Sequence, residues 1–177
     1  TGNVTLSATR QVTTGAGNLT VGGIISGAGF GLTKAGAGML TLGAVTNTFS
    51  GVTTINEGVL SIPAASALNA TTGITISGTS DLLPATLQYT GTGTTTLPTT
   101  ANIALGGNDR ANIIEVSSAT AILQLGSSKI LTGGNAAGTS LLKTGPGIFG
   151  TQANTGSASK SIFRRPRLPS LKRKLRC

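Results

Sequence analysis

The side chains able to move protons or bind metals are few and widely spaced along the sequence. The 177 residues include no His and only four acids, Glu57, Asp81, Asp109 and Glu115. Histidine is the commonest general base and metal ligand, and a glycosidase needs two neighbouring carboxylates. The nearest thing to such a cluster is Asp109 and Arg110 with Glu115 a few positions on. We therefore expect no catalytic, metal-binding or cofactor-binding residue in this chain, and no cofactor.

Two lysines stand in a shared pattern. Residues 31–40 and 140–149 both contain Leu-x-Lys-x-Gly-x-Gly followed by two apolar residues, with the lysines at Lys34 and Lys143. A phosphate-binding loop is excluded for the second copy, because Leu142 stands where such a loop requires Gly before Lys-Thr. Repeats of this kind preserve geometry before chemistry. We interpret both lysines as equivalent, solvent-facing positions of a repeated structural unit, each just before a glycine corner.

The elements that would hold these positions are short β-strands. Apolar and small polar residues alternate in short runs, the signal of a half-buried strand, and Gly- and Asn-containing turns separate the runs. Residues 64–70 could form one helical turn at most. Repeated units that cannot bury an apolar face alone must stack, so we predict an all-β solenoid. The clearest alternating runs are Val4–Ser7, Leu19–Val21, Met39–Leu42, Val52–Ile55 and Ile74–Ser77.

Residues 24–62 resemble the autotransporter-associated β-strand repeat, also called the passenger-associated transport repeat. The resemblance rests on an Ile-Ser-Gly corner at residues 25–27, the Lys-Gly pattern at residues 31–42, and Asn-Thr-Phe-Ser-Gly at residues 47–51. It continues through Thr-Thr-Ile-Asn-Glu-Gly-Val-Leu at residues 53–60. It implies a right-handed parallel β-helix within a passenger exported across the Gram-negative outer membrane. It also implies a translocator barrel on the same polypeptide as the partner of export, and no particular activity.

The positive charge is concentrated at the C-terminal end. The formal net charge is +9, but residues 1–150 hold five basic residues against four acids. Such a tail could bind phosphates or anionic lipid. We prefer to interpret it as disordered or as a misread reading frame, and expect no nucleic-acid partner. The other eight basic residues are Lys160, Arg164, Arg165, Arg167, Lys172, Arg173, Lys174 and Arg176.

These observations divide the chain into a β-solenoid passenger fragment over residues 1–150 and a basic tail over residues 151–177. The solenoid contains repeat cores at 24–62 and 130–149. Cys177 is the only cysteine, which excludes an intrachain disulfide. No run approaches the roughly 18 apolar residues of a membrane helix, so we expect no stable membrane insertion of this segment. The chain begins at Thr1 without Met, and we expect it to be a fragment.

The sequence therefore predicts a structural stalk or spacer rather than an enzyme. The chain would be surface-displayed or secreted, outside the Gram-negative outer membrane. Two alternatives stay open: an adhesin surface that binds glycans or a host surface and, less favoured, a carbohydrate-active β-helix enzyme that uses Asp109 and Glu115.

Overall fold

The computed structural model describes residues 2–78, 82–98, 102–106, 112–126, 131–133 and 141–151. These residues form six stacked turns, here called rungs 1 to 6, and the segment between successive strands of a rung is called a corner. Rungs 1 to 3 contain β1 (Val4–Thr5), β2 (Arg10–Thr13), β3 (Leu19–Val21), β4 (Ile25–Ser26), β5 (Leu32–Ala35), β6 (Met39–Leu42), β7 (Thr53–Ile55) and β8 (Gly58–Ile62). Rungs 4 to 6 contain β9 (Gly73–Ile76), β10 (Ala85–Tyr89), β11 (Thr94–Thr96), β12 (Asn102–Leu105), β13 (Asn112–Val116), β14 (Ile122–Leu125), β15 (Leu131–Gly133), β16 (Leu141–Thr144) and β17 (Ile148–Thr151).

Strands at equivalent places in successive rungs pair in parallel and form the faces of the solenoid. Sheet 1 has the order β2-β5-β7-β9-β12-β15, and sheet 2 has the order β3-β6-β8-β10-β13-β16. Sheet 3 has the order β11-β14-β17, and β1 pairs with β4. Every recorded strand pair is parallel. The structure thus confirms the predicted all-β parallel solenoid, or β-helix.

The third side of rung 3 is an extended segment rather than a strand. The backbone N–H groups of Thr48 and Phe49 both donate to Ile25 O, at 2.9 and 3.3 Å, so this segment stacks on β4 of rung 2. A single-turn 3₁₀-helix, Ala65–Leu68, follows rung 3. It confirms the prediction that residues 64–70 form no more than one helical turn.

Aliphatic ladders fill the interior because alternate side chains of each strand point to the same side of the sheet. In sheet 2, Leu60 pairs with Leu87 and Leu87 with Ile114. In sheet 1, Ile55 pairs with Ile76. All five of these side chains are at most 1% exposed. The fold is therefore held by stacked Leu and Ile layers.

The rungs differ in length along the solenoid. Partners in the strand pairs up to β9 lie 20 to 22 residues apart, as with Leu32 and Thr53. Partners in the later pairs lie 26 to 29 residues apart, as with Ile103 and Leu131. The added residues fall mainly in the corners between sheets 1 and 2, at 77–84, 106–111 and 134–140.

Several predicted features lie outside the described residues. Asp81, Asp109 and Arg110 are among them, as are residues 152–177 of the basic tail. The division of the chain at residue 150 and the interpretation of the tail stay predictions.

Candidate functional site

Lys34 lies inside the solenoid, not on its surface. It belongs to β5, where it pairs with Val12 of β2 on one side and with Ile55 of β7 on the other. Its exposed fraction is 0%. The prediction of a solvent-facing lysine is therefore wrong, since Lys34 shares the inward face with Leu32, two residues earlier on the same strand.

The Lys34 ammonium is placed among backbone carbonyl oxygens at the corner between β5 and β6. Its Nζ donates to Ala35 O at 2.9 Å, to Gly36 O at 2.6 Å, and to Glu57 O of the next rung at 3.0 Å. Ala35 O also accepts from Thr14 N at 3.0 Å. Among the described residues, no backbone N–H donates to Gly36 O or Glu57 O. The ammonium thus bonds two half-buried corner carbonyls, which an apolar side chain would leave without a donor from the described residues.

Glu57 completes the same corner from rung 3. Its Oε2 accepts from Gly36 N at 3.2 Å, while its backbone carbonyl accepts from Lys34. The next residue, Gly58, has a φ of +67°, and a Cβ added there would lie 2.4 Å from both Gly36 O and Gly38 O. Only glycine allows the corners of rungs 2 and 3 to stack this closely.

Burial and charge act on Lys34 in opposite directions. Burial lowers the pKa of its amine from the ordinary value of 10.5, and the negative charge of Glu57 partly offsets that effect. A protonated amine in an apolar interior is costly unless it is hydrogen-bonded. The three carbonyl partners supply those bonds, so the stem of Lys34 packs in the aliphatic ladder while its head group holds the corner together.

Lys143 forms a related corner at a different place in the solenoid. It lies on β16 of sheet 2, paired with the fully buried Ile114, and its corner leads to β17 of sheet 3. Its Nζ donates to Thr144 O and Gly145 O, both at 2.6 Å. Burial lowers the pKa of this amine too, against the opposing charge of Glu115.

The two lysine corners are therefore alike in chemistry but not equivalent in position. The corner after Lys34 joins sheet 1 to sheet 2, whereas the corner after Lys143 joins sheet 2 to sheet 3. The prediction that both lysines occupy equivalent positions of the rung is wrong. What the structure does confirm is that each lysine immediately precedes a glycine-containing turn.

Two buried asparagines form further bridges between rungs that the sequence analysis missed. Asn47 accepts from Ile25 N at 2.9 Å and donates to Ala67 O at 2.9 Å. Asn112 accepts from Gly78 N at 3.1 Å and donates to Gly106 O at 3.0 Å. Asn47 stands in the quoted Asn-Thr-Phe-Ser-Gly step, which was the available signal. Asn112 has no comparable pattern around it.

A buried hydroxyl pair adds to these bridges. Thr53 and Thr71 are both 0% exposed, and their Oγ1 atoms are 3.2 Å apart. Thr71 Oγ1 also donates a hydrogen bond to Gly51 O at 2.6 Å. As at the lysine corners, these buried polar atoms are hydrogen-bonded to other parts of the chain, as polar groups in a protein interior usually are.

The residues considered for catalysis are not assembled by the described structure. Glu115 is half-buried, and its Oε1 accepts from Ser117 Oγ at 3.0 Å. Asp109 and Arg110 lie outside the described residues, so the structure gives no distance between them and Glu115. Within the described ranges, no three His, Cys, Asp or Glu side chains are grouped closely enough to hold a metal ion.

Stacked parallel sheets whose corners are held by lysine, glutamate and asparagine side chains define a structural repeat protein of the β-solenoid class. Residues 32–62, from β5 through β8, match the family described as passenger-associated-transport-repeat. This stretch is therefore similar to a passenger-associated transport repeat, in agreement with the resemblance predicted from the sequence. Comparisons with curated proteins and with solved structures gave no significant match. No helix in the described ranges is long and apolar enough to span a bilayer.

Proposed function

We propose that this chain is a spacer segment of an autotransporter passenger, which holds other parts of the passenger away from the outer membrane. The observation that carries the proposal is the family match at residues 32–62, located in a solenoid of stacked rungs. Each rung adds about 4.8 Å along the axis, the spacing of paired strands. A stack of rungs is therefore a rod whose length grows with the number of repeats.

The composition suits export through a pore before folding. Cys177 is the only cysteine, so no intrachain disulfide can form ahead of translocation. Residues 1–150 hold nearly equal numbers of basic and acidic residues. We propose that the translocator barrel of the same polypeptide is the partner in export, and that the segment works at the cell surface or after release. No catalytic role is part of the proposal.

A display experiment tests this function. Residues 1–151 are fused between an exported epitope tag and a heterologous outer-membrane translocator barrel. We expect the tag to be accessible to antibody on intact cells, and added protease to leave a resistant fragment that contains residues 25–125. A tag retained in the periplasm, or a displayed segment digested throughout, would contradict the proposal. Gly58→Val, which introduces a side chain into the crowded corner, is the control for display without a folded segment.

A glycan-binding adhesin is a second candidate because of one observation. Thr33, Thr54 and Thr75 pair in consecutive rungs and lie on the outward side of sheet 1, where all three are half-buried. Their hydroxyls could bond a sugar chain laid along the axis. A glycan array probed with the wild type and with Thr54→Val tests this candidate, with Thr41→Val on sheet 2 as the matched control. Absence of binding, or equal binding by both variants, would rule against it.

A carbohydrate-active enzyme is the least favoured candidate. It would require that Asp109 and Glu115 act together on a polysaccharide. Turnover of polyuronates that is abolished by Asp109→Asn and by Glu115→Gln would establish this function in place of the spacer.

A further inference from the structure

The corners of rungs 2 and 3 are each incomplete without the other. The Gly36 N–H in rung 2 has its acceptor, Glu57 Oε2, in rung 3, and the Glu57 carbonyl has its donor, the Lys34 ammonium, in rung 2. Before rung 3 folds, the Lys34 ammonium lacks one of its three acceptors, and Gly36 N lacks the only acceptor that the described residues offer it. The two bonds run in opposite directions between the same two corners.

The third side of these rungs is bridged in the same manner. Asn47 of rung 3 accepts from Ile25 N of rung 2 at 2.9 Å, and Ser50 Oγ of rung 3 accepts from Gly29 N at 2.7 Å. The backbone of Phe49 adds a bond to Ile25 O. Side chains therefore bridge rungs 2 and 3 both at the lysine corner and on the third side.

At the lysine corner, the bonds to the other neighbouring rungs come mainly from the backbone, as with Thr14 N of rung 1, which donates to Ala35 O at 3.0 Å. In rung 1, Leu19 is 44% exposed, and Thr14 Oγ1 is buried without a hydrogen-bond partner in the described part of the chain. Toward rung 4, the corner of rung 3 donates a backbone bond, from Gly58 N to Pro84 O at 2.8 Å. Bonds between buried groups protect the backbone from local opening more than exposed ones do.

We propose that rungs 2 and 3, residues 25–62, form a single cooperative folding unit locked by the reciprocal bonds of Lys34 and Glu57. The unit opens and closes as a whole. The family match at residues 32–62 falls inside this unit. The proposal concerns the coupling between rungs and holds whether or not the segment serves as a spacer.

Amide hydrogen exchange of the full chain, followed by mass spectrometry, tests the lock. Lys34→Met keeps the apolar stem and removes the ammonium, while Glu57→Ala removes the acceptor of Gly36 N. Each variant is expected to speed exchange across the strands of residues 25–62 as a block, by about 10- to 100-fold, because hydrogen bonds to charged groups contribute that much. Lys143→Met is the matched control and should leave residues 25–62 unchanged.

Two results would overturn the proposal. Faster exchange confined to the corner amides of residues 34–38 and 56–58 would show that the bonds act only locally. Equal acceleration in rungs 4 to 6 would show that the solenoid opens as one body. If Lys34→Met does not fold, Glu57→Ala decides the question, since Glu57 is only half-buried and its loss leaves the ammonium in place.

Discussion

The first three rungs and the last three stack in the same manner but differ in the length of the corner that joins sheet 1 to sheet 2. In rungs 1 to 3, two to five residues join sheet 1 to sheet 2, and in rungs 4 to 6 the same corner takes six to eight. The short corners leave carbonyl oxygens close together, as around Gly58, and a buried ammonium from Lys34 bonds them. In the longer corners an amide, Asn112, does the corresponding bridging.

The comparison shows that the Lys-Gly pattern specifies a tight corner rather than a particular face of the rung. Its first copy closes the turn from sheet 1 to sheet 2, and its second copy, after Lys143, closes the turn from sheet 2 to sheet 3. In both places the lysine is the last inward-facing residue of its strand, from which its amine reaches the turn carbonyls. The same local sequence can therefore serve any tight turn of the solenoid.

The largest expected effect comes from crowding the short corner. Gly58→Ala should lower the free energy of unfolding by about 4 kcal/mol, because the residue needs a positive φ and its Cβ would meet two carbonyl oxygens. Gly93 is the matched control in the long-rung region: its φ is +73°, but a Cβ there meets nothing within 4 Å. Gly93→Ala should cost only about 1 kcal/mol. Urea unfolding monitored by circular dichroism measures the free energy of unfolding of both variants. Equal losses of stability would contradict the distinction between crowded and open corners.

Removing each lysine head group compares the two corners directly. Lys34→Met should lower the free energy of unfolding by about 2 kcal/mol, because the carbonyls of Gly36 and Glu57 lose their donor. This loss outweighs the gain from no longer burying a charge. Lys143→Met should cost less than about 1 kcal/mol, since that side chain is only half-buried. A lower urea midpoint for Lys143→Met than for Lys34→Met would show that burial of the ammonium does not determine how much it contributes to stability.

The two bridging asparagines test whether long rungs are held as firmly as short ones. Asn47→Ala removes two bonds that are both buried, and we expect a loss of about 2 kcal/mol. Asn112→Ala removes one buried bond and one partly buried bond, with an expected loss of about 1 kcal/mol. Thermal unfolding of the two variants, with exposed Asn69→Ala as the control, provides the measurement. Equal losses would indicate that corner length does not affect the strength of the bridge.

The smallest expected effect is a dependence on pH. Because burial lowers the pKa of Lys34 below 10.5, the unfolded chain binds more protons than the folded one between those two values. Stability should therefore rise with pH as the folded amine loses its proton, and fall again as pH decreases through its folded pKa. The rise should be smaller in Lys34→Met than in the wild type. Comparing the two proteins up to pH 10.5 separates this rise from the effect of Tyr89, which both share: burial raises the pKa of Tyr89 from 10.0, and its effect has the opposite sign. A stability that falls over this range in the wild type, but not in Lys34→Met, would contradict the sign.

The strands and the stacking followed from the sequence because alternation and glycine corners are local signals. Met39–Leu42 and Leu19–Val21 are strands as predicted. The buried position of Lys34 was also within reach, since Leu32 and Lys34 are two residues apart and must share a face. The charge of lysine favoured a solvent-exposed position for Lys34. Its burial is explained by the corner carbonyls that accept its hydrogen bonds, one of which belongs to the neighbouring rung.

The sequence alone could not show which sheet each copy of the Lys-Gly pattern belongs to. It depends on how many residues each corner takes, and the corners around Gly78 and Gly106 have no fixed length that a local pattern encodes. Asn112 illustrates the same limit, because its partner Gly78, 34 residues earlier, is brought near it only by the stacking of rungs 4 and 5. Contacts of this kind arise from register between rungs rather than from neighbouring residues.

The narrow range of sequence separations between paired strands has a consequence for the speed at which such a chain can fold. Partners are always 20 to 29 residues apart, however far along the solenoid they lie. Because loop-closure entropy grows with the logarithm of loop length, the longest of these loops costs only about 0.3 kcal/mol more to close than the shortest. A further rung therefore meets nearly the same entropic barrier as the one before it, so the solenoid can lengthen without the slowing that distant contacts impose on other β-proteins.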